Sequence, residues 1–582
     1  MDISGKRILL FVLSSSFIVM ANSQVLHQPQ APTHQDTLRG TLNAERNWWD
    51  VTRYDITVQP DYNNKTIIGS NVIESKVLSA GNTMQIDLQE PMEIDSINVL
   101  AGSAGGAYIN TQGKPSLIRP VKNIIREGNV YHVDIGQAFP INSSFLLKIY
   151  FHGKPREATR PPWDGGWIWK KDSNGNPWMS VACQGLGASV WYPCKDHQTD
   201  EPDSGAMLTM VVPDTLVAVG NGRLKEKKMN NDGTSAWSWQ VVNPINNYNI
   251  IPYIGKYVNF SEVFDGLNGK LDCSYWVLSY NLEKAKEQFK QVPLMLQCFE
   301  NWFGPYPFYE DGYKLVESPH LGMEHQSAVA YGNKFQNGYL GRDLSGSGWG
   351  LKWDFIIIHE SGHEWFANNI TSKDLADMWL HEGFTNYSET LFTECQFGKE
   401  AGSEYVTGTR KNISNDIPII GPYGINREGS GDMYCKGGNM LHTIRQVINN
   451  DSTFRNILRG LNKTFYHQTV TTRQVEAYIS KQAHTDFSKV FDQYLRTTLV
   501  PVLEYKVDNN RLSYRWTNVV TGFNLPLKVF TGKDEWLKPT TQWQTRQLPE
   551  GFNEKDFKID INFYVKSKKK VSSSVAPQPK LQ

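Results

Sequence analysis

The hydrophobic pattern of the chain changes period twice. From Tyr54 onward, short runs alternate apolar and polar positions, as in Tyr54-Asp55-Ile56-Thr57-Val58 and Phe145-Leu146-Leu147-Lys148-Ile149-Tyr150. Clusters of Gly, Asn and Pro break these runs at short intervals, which predicts an antiparallel β domain over residues 45–254. A tryptophan-rich loop, Trp163 to Trp178, interrupts it. Helical periodicity takes over at 282–300 and stops at Gly304-Pro305. It then dominates to about residue 496, with helices expected at 351–368, 379–396, 434–449 and 485–496. From Pro501 the strand period returns (Leu503-Glu504-Tyr505-Lys506-Val507, Leu512-Ser513-Tyr514-Arg515-Trp516) and runs to about Val565. About 65 residues suit one small β-sandwich. No internal repeat is visible. The outline is a multidomain α+β protein: a β domain at 45–254, a mainly helical domain at 255–497 and a small β domain at 498–567. Residues 24–44 read as a flexible lead-in and 568–582 as a disordered tail.

Composition narrows the function classes without choosing one. The 582 residues are 40% hydrophobic and 20% charged, as in an ordinary soluble protein. Lys+Arg and Asp+Glu both number 59, so no basic field exists to attract nucleic acid or anionic lipid. At the N-terminus, Lys6 and Arg7 precede an apolar run from Ile8 to Met20, then Ala21-Asn22-Ser23. That is a signal-peptide pattern with cleavage near Ser23. About 13 apolar residues fall short of the roughly 20 that a spanning helix needs. The expectation is therefore an exported chain, periplasmic or secreted, with no membrane span. Six cysteines (Cys183, Cys194, Cys273, Cys298, Cys395, Cys435) are too scattered for a disulfide-built scaffold and include no CxxC pair. Whether any pair into disulfides is open at this level.

The chemistry lies in His359-Glu360-Ser361-Gly362-His363, followed nineteen residues after its last histidine by Glu382. On a helix, positions i and i+4 share a face, so His359 and His363 can present two imidazoles to one ion. Glu360 stands one step round, placed to handle a water rather than to join the ligands. A second helix through Trp379-Leu380-His381-Glu382-Gly383-Phe384 can fold back and deliver Glu382 as third ligand. Two His and one Glu leave a fourth position open, as catalytic zinc requires, and nitrogen and oxygen donors without thiolate suit Zn²⁺. One zinc per chain is expected. Glu389, seven residues beyond Glu382, is a candidate to orient a zinc histidine.

These residues resemble the gluzincin metallo-aminopeptidases of the M1 family, which include aminopeptidase N and leukotriene A4 hydrolase. Three further matches carry the resemblance, in the family's order. Leu321-Gly322-Met323-Glu324-His325 is similar to the family's Gly-x-Met-Glu-Asn, and Tyr434 with Lys436-Gly437 is similar to its catalytic Tyr before a Lys-Gly pair. Gln184 ahead of Tyr192-Pro193-Cys194-Lys195-Asp196 is similar to its substrate-binding Gln/Glu ahead of a Pro-Cys-x-Asp turn. The resemblance spans about residues 45 to 565 and implies a thermolysin-like catalytic domain for the helical part. It implies hydrolysis of N-terminal residues from peptides or protein N-termini. Glu360 would be the general base and Tyr434 the oxyanion donor; Glu324 and Gln184, with Gly322 and Met323, would bind the substrate. A protonated α-amine is held well by a carboxylate, through charge-assisted hydrogen bonds.

The chain also departs from the family pattern. His325 replaces the usual Asn, and an imidazole beside Glu324 would orient it, or pair with it when protonated and weaken substrate affinity below about pH 6. The large C-terminal helical domain usual in aminopeptidase N-like enzymes has no counterpart, so either the cleft is more open or a second copy, in a homo-oligomer, covers it. Three alternatives stand beside the aminopeptidase reading. An epoxide hydrolase would want a second Tyr where Gly429 stands; an endopeptidase would not need Glu324; a non-enzymatic binding protein on the same fold would be expected to have lost a ligand or the base.

Overall fold

A computed structural model describes residues 31–100 and 118–570; the signal pattern at 1–23 lies outside the described residues. Period two does what it should in the first β domain. In the strand Trp49–Asp61, Tyr54, Ile56 and Val58 are buried while Thr57 and Gln59 face solvent. That strand pairs antiparallel with Thr66–Val77 on one side and parallel with Ala206–Pro213 on the other, within an eight-stranded, otherwise antiparallel sheet. A four-stranded and a three-stranded sheet complete the domain. The tryptophan-rich stretch is mostly a hairpin, Gly166–Lys171 with Pro177–Ala182, whose Trp167 and Trp169 are buried and stacked at 5.1 Å.

The middle region opens with a five-stranded sheet in the order Tyr257–Gly266, Gly269–Leu278, Tyr313–Glu317, Val329–Tyr331, Gly322–Met323. The last of these is an edge strand, running antiparallel to Val329–Tyr331. Helices follow. The helix expected at 351–368 is shorter, Phe355–Gly362, because Asp354 caps its start by accepting from Ile356 N and Ile357 N. At its far end the backbone leaves helical geometry at Phe366 (φ −129°) and Ala367 (φ 142°), inside a wide turn over Glu364–Asn368. The helix Trp379–Phe397 packs across it and stops at Gly398, whose φ is 94°. A Cβ on Gly437 would lie 3.0 Å from the Gly383 Cα, so two glycines let this helix cross Cys435–Ile448 closely. A disulfide, Cys298–Cys395, ties Gln291–Phe303 to Trp379–Phe397; the other four cysteines are buried free thiols.

The last domain is a sandwich of a four-stranded and a three-stranded sheet, with Leu503, Leu512, Trp516, Leu527 and Val529 buried between them. Its apolar core is continuous with that of the helical region. Two stretches read as loose are ordered. From Thr33 the lead-in forms a capped helix, His34–Gly40, because Thr33 and Asp36 cap each other reciprocally. Lys566–Lys569 is a strand parallel to Val502–Asp508, so residues 568 and 569, expected to open the tail, are ordered.

Candidate active site

The helix Phe355–Gly362 is buried along its whole length, and it carries His359 and Glu360 with His363 at its C-cap. The edge strand Gly322–Met323 lies directly on it. A Cβ at position 322 would stand 2.8 Å from Ile356 Cγ2 and 2.9 Å from Glu360 Oε1, so only glycine gives Glu360 its room. Gly362 plays the same part opposite Ser388, whose hydroxyl would be 2.5 Å from an added Cβ.

Glu382 Oε2 stands 3.3 Å from His363 Nε2 and 3.6 Å from His359 Nε2, and the donor atoms of all three residues lie within 4.8 Å of one another. Two ligands about 2.1 Å from a tetrahedral zinc are separated by about 3.4 Å. The other ring nitrogens are occupied. His359 Nδ1 meets Glu389 Oε1 at 2.7 Å, and His363 Nδ1 meets Phe366 O at 3.0 Å. Both Nε2 atoms are thereby turned to the Glu382 carboxylate, whose Oε2 is buried and has no hydrogen-bond partner. An orphaned carboxylate oxygen between two imidazoles fits a zinc ion. Burial opposes every charge here, yet Glu382 and Glu389 hold the His359 imidazole well above its usual range. Burial likewise pushes Glu382 up, but His363 and His359 hold it below the usual carboxylate range.

A second group forms the other wall. Oxygen and nitrogen donors of Glu324, Glu360 and His363 also fall within 4.8 Å of one another. Glu324 is 2% exposed, and its Oε1 accepts from Gln184 Nε2 at 2.6 Å and from Tyr248 OH at 2.8 Å. Burial first, then the neighbouring Glu382, raises its pKa against the pull of His363. Gln184 spends its amide N–H on Glu324, which leaves its carbonyl oxygen as an acceptor. The Pro-Cys-Lys-Asp turn holds the loop that carries Gln184. Asp196 accepts from Ser189 N and Oγ, and Arg39 donates to the carbonyls of Gly185 and Leu186. Glu360 Oε1 makes no hydrogen bond, and burial raises the carboxyl despite His359 and His363. Tyr434 sits at the N-cap of Cys435–Ile448 with its ring stacked towards His359, centroids 6.0 Å apart. Burial, then Glu382 and Glu428, keeps its hydroxyl protonated far above the ordinary range. Met323 lines the cavity together with Pro162, Trp163 and Gln184.

His325 does not do what its position suggested. It is fully buried, its Nδ1 meets Tyr253 OH at 2.5 Å, and Glu324 is oriented by Gln184 and Tyr248 instead. Burial, reinforced by His320, holds the imidazole far below its usual pKa, so it stays neutral at the pH where a charged partner to Glu324 was expected. Trp163, from the tryptophan-rich loop that is a candidate wall for apolar side chains, does line the cavity; Tyr248 belongs to no spaced motif, and only the fold brings it to Glu324.

Over residues 288–494 the sequence matches the family model described as the peptidase family M1 domain. The match contains His359, Glu360, His363, Glu382 and Tyr434. Residues 288–494 are thus similar to a peptidase family M1 domain. Among relatives of this chain is Aminopeptidase M1 of Arabidopsis thaliana, 20% identical over 84% of this chain and 54% of the relative. Aminopeptidase B of Homo sapiens is 28% identical over 38% of this chain and 31% of the relative. Leukotriene A-4 hydrolase of Xenopus laevis is 22% identical over 54% and 51%. The chain thus spans about half the length of the first two curated relatives. A crystal structure of an M1 zinc metallopeptidase from Deinococcus radiodurans shares the fold, with a TM-score of 0.65 at 18% identity, covering 80% of this chain and 98% of that one.

Proposed function

We propose that the chain is a zinc metallo-aminopeptidase that removes N-terminal residues from peptides. The observation that carries this reading is the adjacency of two sites, the two-histidine, one-carboxylate set and the group of Glu324, Glu360 and His363 that Gln184 adjoins, which have His363 in common. His359, His363 and Glu382 would hold the zinc. When bound, zinc supplies a Lewis acid that polarises the scissile carbonyl and lowers the pKa of water from about 15.7 towards neutrality. The chain's own residues do the rest. Glu324 and the Gln184 carbonyl accept from the substrate's ammonium, which fixes how far the first peptide bond reaches. Glu360, with an unpartnered oxygen, takes a proton from the attacking water and passes it to the departing amine. Tyr434, kept protonated, donates to the developing oxyanion. Gly429 counts against the epoxide hydrolase alternative, because a Cβ there would lie 1.9 Å from Ile419 O and no tyrosine can occupy it.

We further propose that the mature chain lies outside the cytoplasm. The Lys6–Ser23 pattern supports it, and so does a Cys298–Cys395 bridge, which persists in oxidising compartments.

Aminoacyl anilides assayed beside their N-acetylated forms test the reading. Free-amine substrates should be cleaved, acetylated ones should not, and a chelator should abolish turnover until zinc is restored. Equal cleavage of both sets would refute an aminopeptidase; activity without metal would refute a zinc enzyme.

A further inference from the structure

The segment that ends in the edge strand also floors a second hollow. Ser318 to Leu321 run along an open groove of about 490 Å³, and Trp163 stands in the wall of both this groove and the metal-site cavity. The two spaces are therefore neighbours with a shared aromatic partition. Their charges are opposite. The metal side carries Glu324, Glu360 and Glu382, and Glu428 lies close enough to be felt by Tyr434. The groove is rimmed by Lys170, Lys284 and Lys334, all exposed, and none of these is in an ion pair among the described residues. The groove's one carboxylate, Glu317, is spoken for: it accepts from Leu278 N and Asn281 Nδ2, each at 2.7 Å. Burial raises that carboxyl to about 7, which further reduces its charge.

The floor holds a second sign of a missing ligand. His320 is 5% exposed, and beyond the backbone of Gly322 its ring nitrogens have no polar partner among the described residues. Burial, with Lys170 nearby, lowers its pKa to about 3, so the ring is neutral and offers one N–H donor and one lone pair. A buried group left partly unsatisfied is costly unless something completes it. A peptide group can supply what is missing. Trp163, Trp178 and Phe335 supply apolar walls around it.

From these features we infer that the groove is the subsite for the peptide downstream of the scissile bond, and that it favours substrates bearing carboxylates there. The inference rests on the aminopeptidase reading. With the amine pinned at Glu324 the first residue fills the small cavity, and the chain beyond it leaves past Trp163 and Leu321. The field then runs from negative at the amine end to positive along the groove, which matches the polarity of a peptide. Carboxylates reach the lysines either as Asp or Glu side chains or as the C-terminus of a short peptide.

The test uses peptides with a common N-terminal residue whose following positions are acidic, neutral or basic, each made as the C-terminal acid and amide. KM is compared in the wild type and in the Lys170→Gln, Lys284→Gln, Lys334→Gln triple variant, with an aminoacyl anilide as a substrate too short to reach the groove. For exposed pairs of this number, KM should be about tenfold lower for acidic than for basic peptides at low salt. The difference should collapse in the triple variant and at high ionic strength, with anilide kinetics unchanged. The acid and amide forms separate the two sources of carboxylate. An identical acidic-to-basic KM ratio in wild type and variant would overturn the proposal, as would a preference that follows only the N-terminal residue. Loss of all anilide hydrolysis would instead indict the aminopeptidase reading. In that event equilibrium binding of the same peptides to wild type and triple variant still decides the groove, because binding requires no turnover.

Discussion

The carboxylate of Glu389 works on three neighbours at once. Its Oε1 accepts from His359 Nδ1 at 2.7 Å and from Asn386 Nδ2 at 3.1 Å, while Tyr405 OH donates to Oε2 at 2.6 Å. It thereby fixes the tautomer and the plane of a zinc imidazole from behind. Replacing Glu389 by Gln keeps the shape and removes the charge. Zinc affinity, measured by competition with a graded chelator, should fall about 10- to 100-fold, with the fold unaltered by circular dichroism. Unchanged affinity would mean that Glu389 is only filling space. Residues with a motif around them, such as His359, Glu360 and His363, were legible in the sequence because helical spacing alone puts them on one face. Glu389 was visible only as a spacing from Glu382, and its role needed the Nδ1 contact. Tyr248 was not visible at all, since nothing in a sequence links it to Glu324 across 76 residues.

At the scale of elements, the site is a crossing of three helices and an edge strand, and small residues permit each approach: Gly322 over Glu360, Gly362 against Ser388, Gly383 against Gly437. The helix that delivers Glu382 is anchored at its far end by Cys298–Cys395, which closes a loop of 97 residues. A cross-link of that span removes about 4–5 kcal/mol of unfolded-state entropy in the chain-entropy model. The Cys298→Ser, Cys395→Ser double variant should therefore unfold at clearly lower denaturant than the oxidised wild type, and the wild type should fall to the same midpoint on reduction. Coincident midpoints in oxidised and reduced wild type would show that the bridge contributes nothing. The shorter-than-expected helix Phe355–Gly362 belongs to this scale as well. Apolar periodicity runs on through Trp365 and Phe366, but His363 must donate back to Phe366 O, and the backbone leaves the helix to allow it.

For the whole molecule, His442 reports how the last domain is attached. It is buried, its Nδ1 meets Tyr387 OH at 3.0 Å within the helical domain, and its Nε2 meets Asn562 Oδ1 at 3.0 Å in the final β domain. Burial lowers its pKa to about 3, against about 6.5 when unfolded. The folded state thus binds fewer protons than the unfolded one between those values. The stability contributed by the neutral imidazole is fully present above pH 6.5 and is lost as pH falls towards 3. The stability difference between wild type and His442→Gln should be greatest near pH 7.5 and shrink steadily as pH is lowered to 4.5. A difference independent of pH would mean that the ring is not held neutral.

The sequence by itself determined the order of the β and helical regions and the pairing of His359 with His363, because both rest on periodicity: strands at two, helices at 3.6, ligands at i and i+4. It also marked Glu324, Gln184 and Tyr434, through short motifs. Only the tertiary structure decided that Glu324 is held by Gln184 and Tyr248, that His325 is sealed off from it, and that Cys298 meets Cys395. It alone brought three lysines and a partly satisfied His320 beside the catalytic cavity. The physical reason is common to all of these. They depend on contacts between segments far apart in the chain and on burial, and neither leaves a local pattern for the sequence to carry.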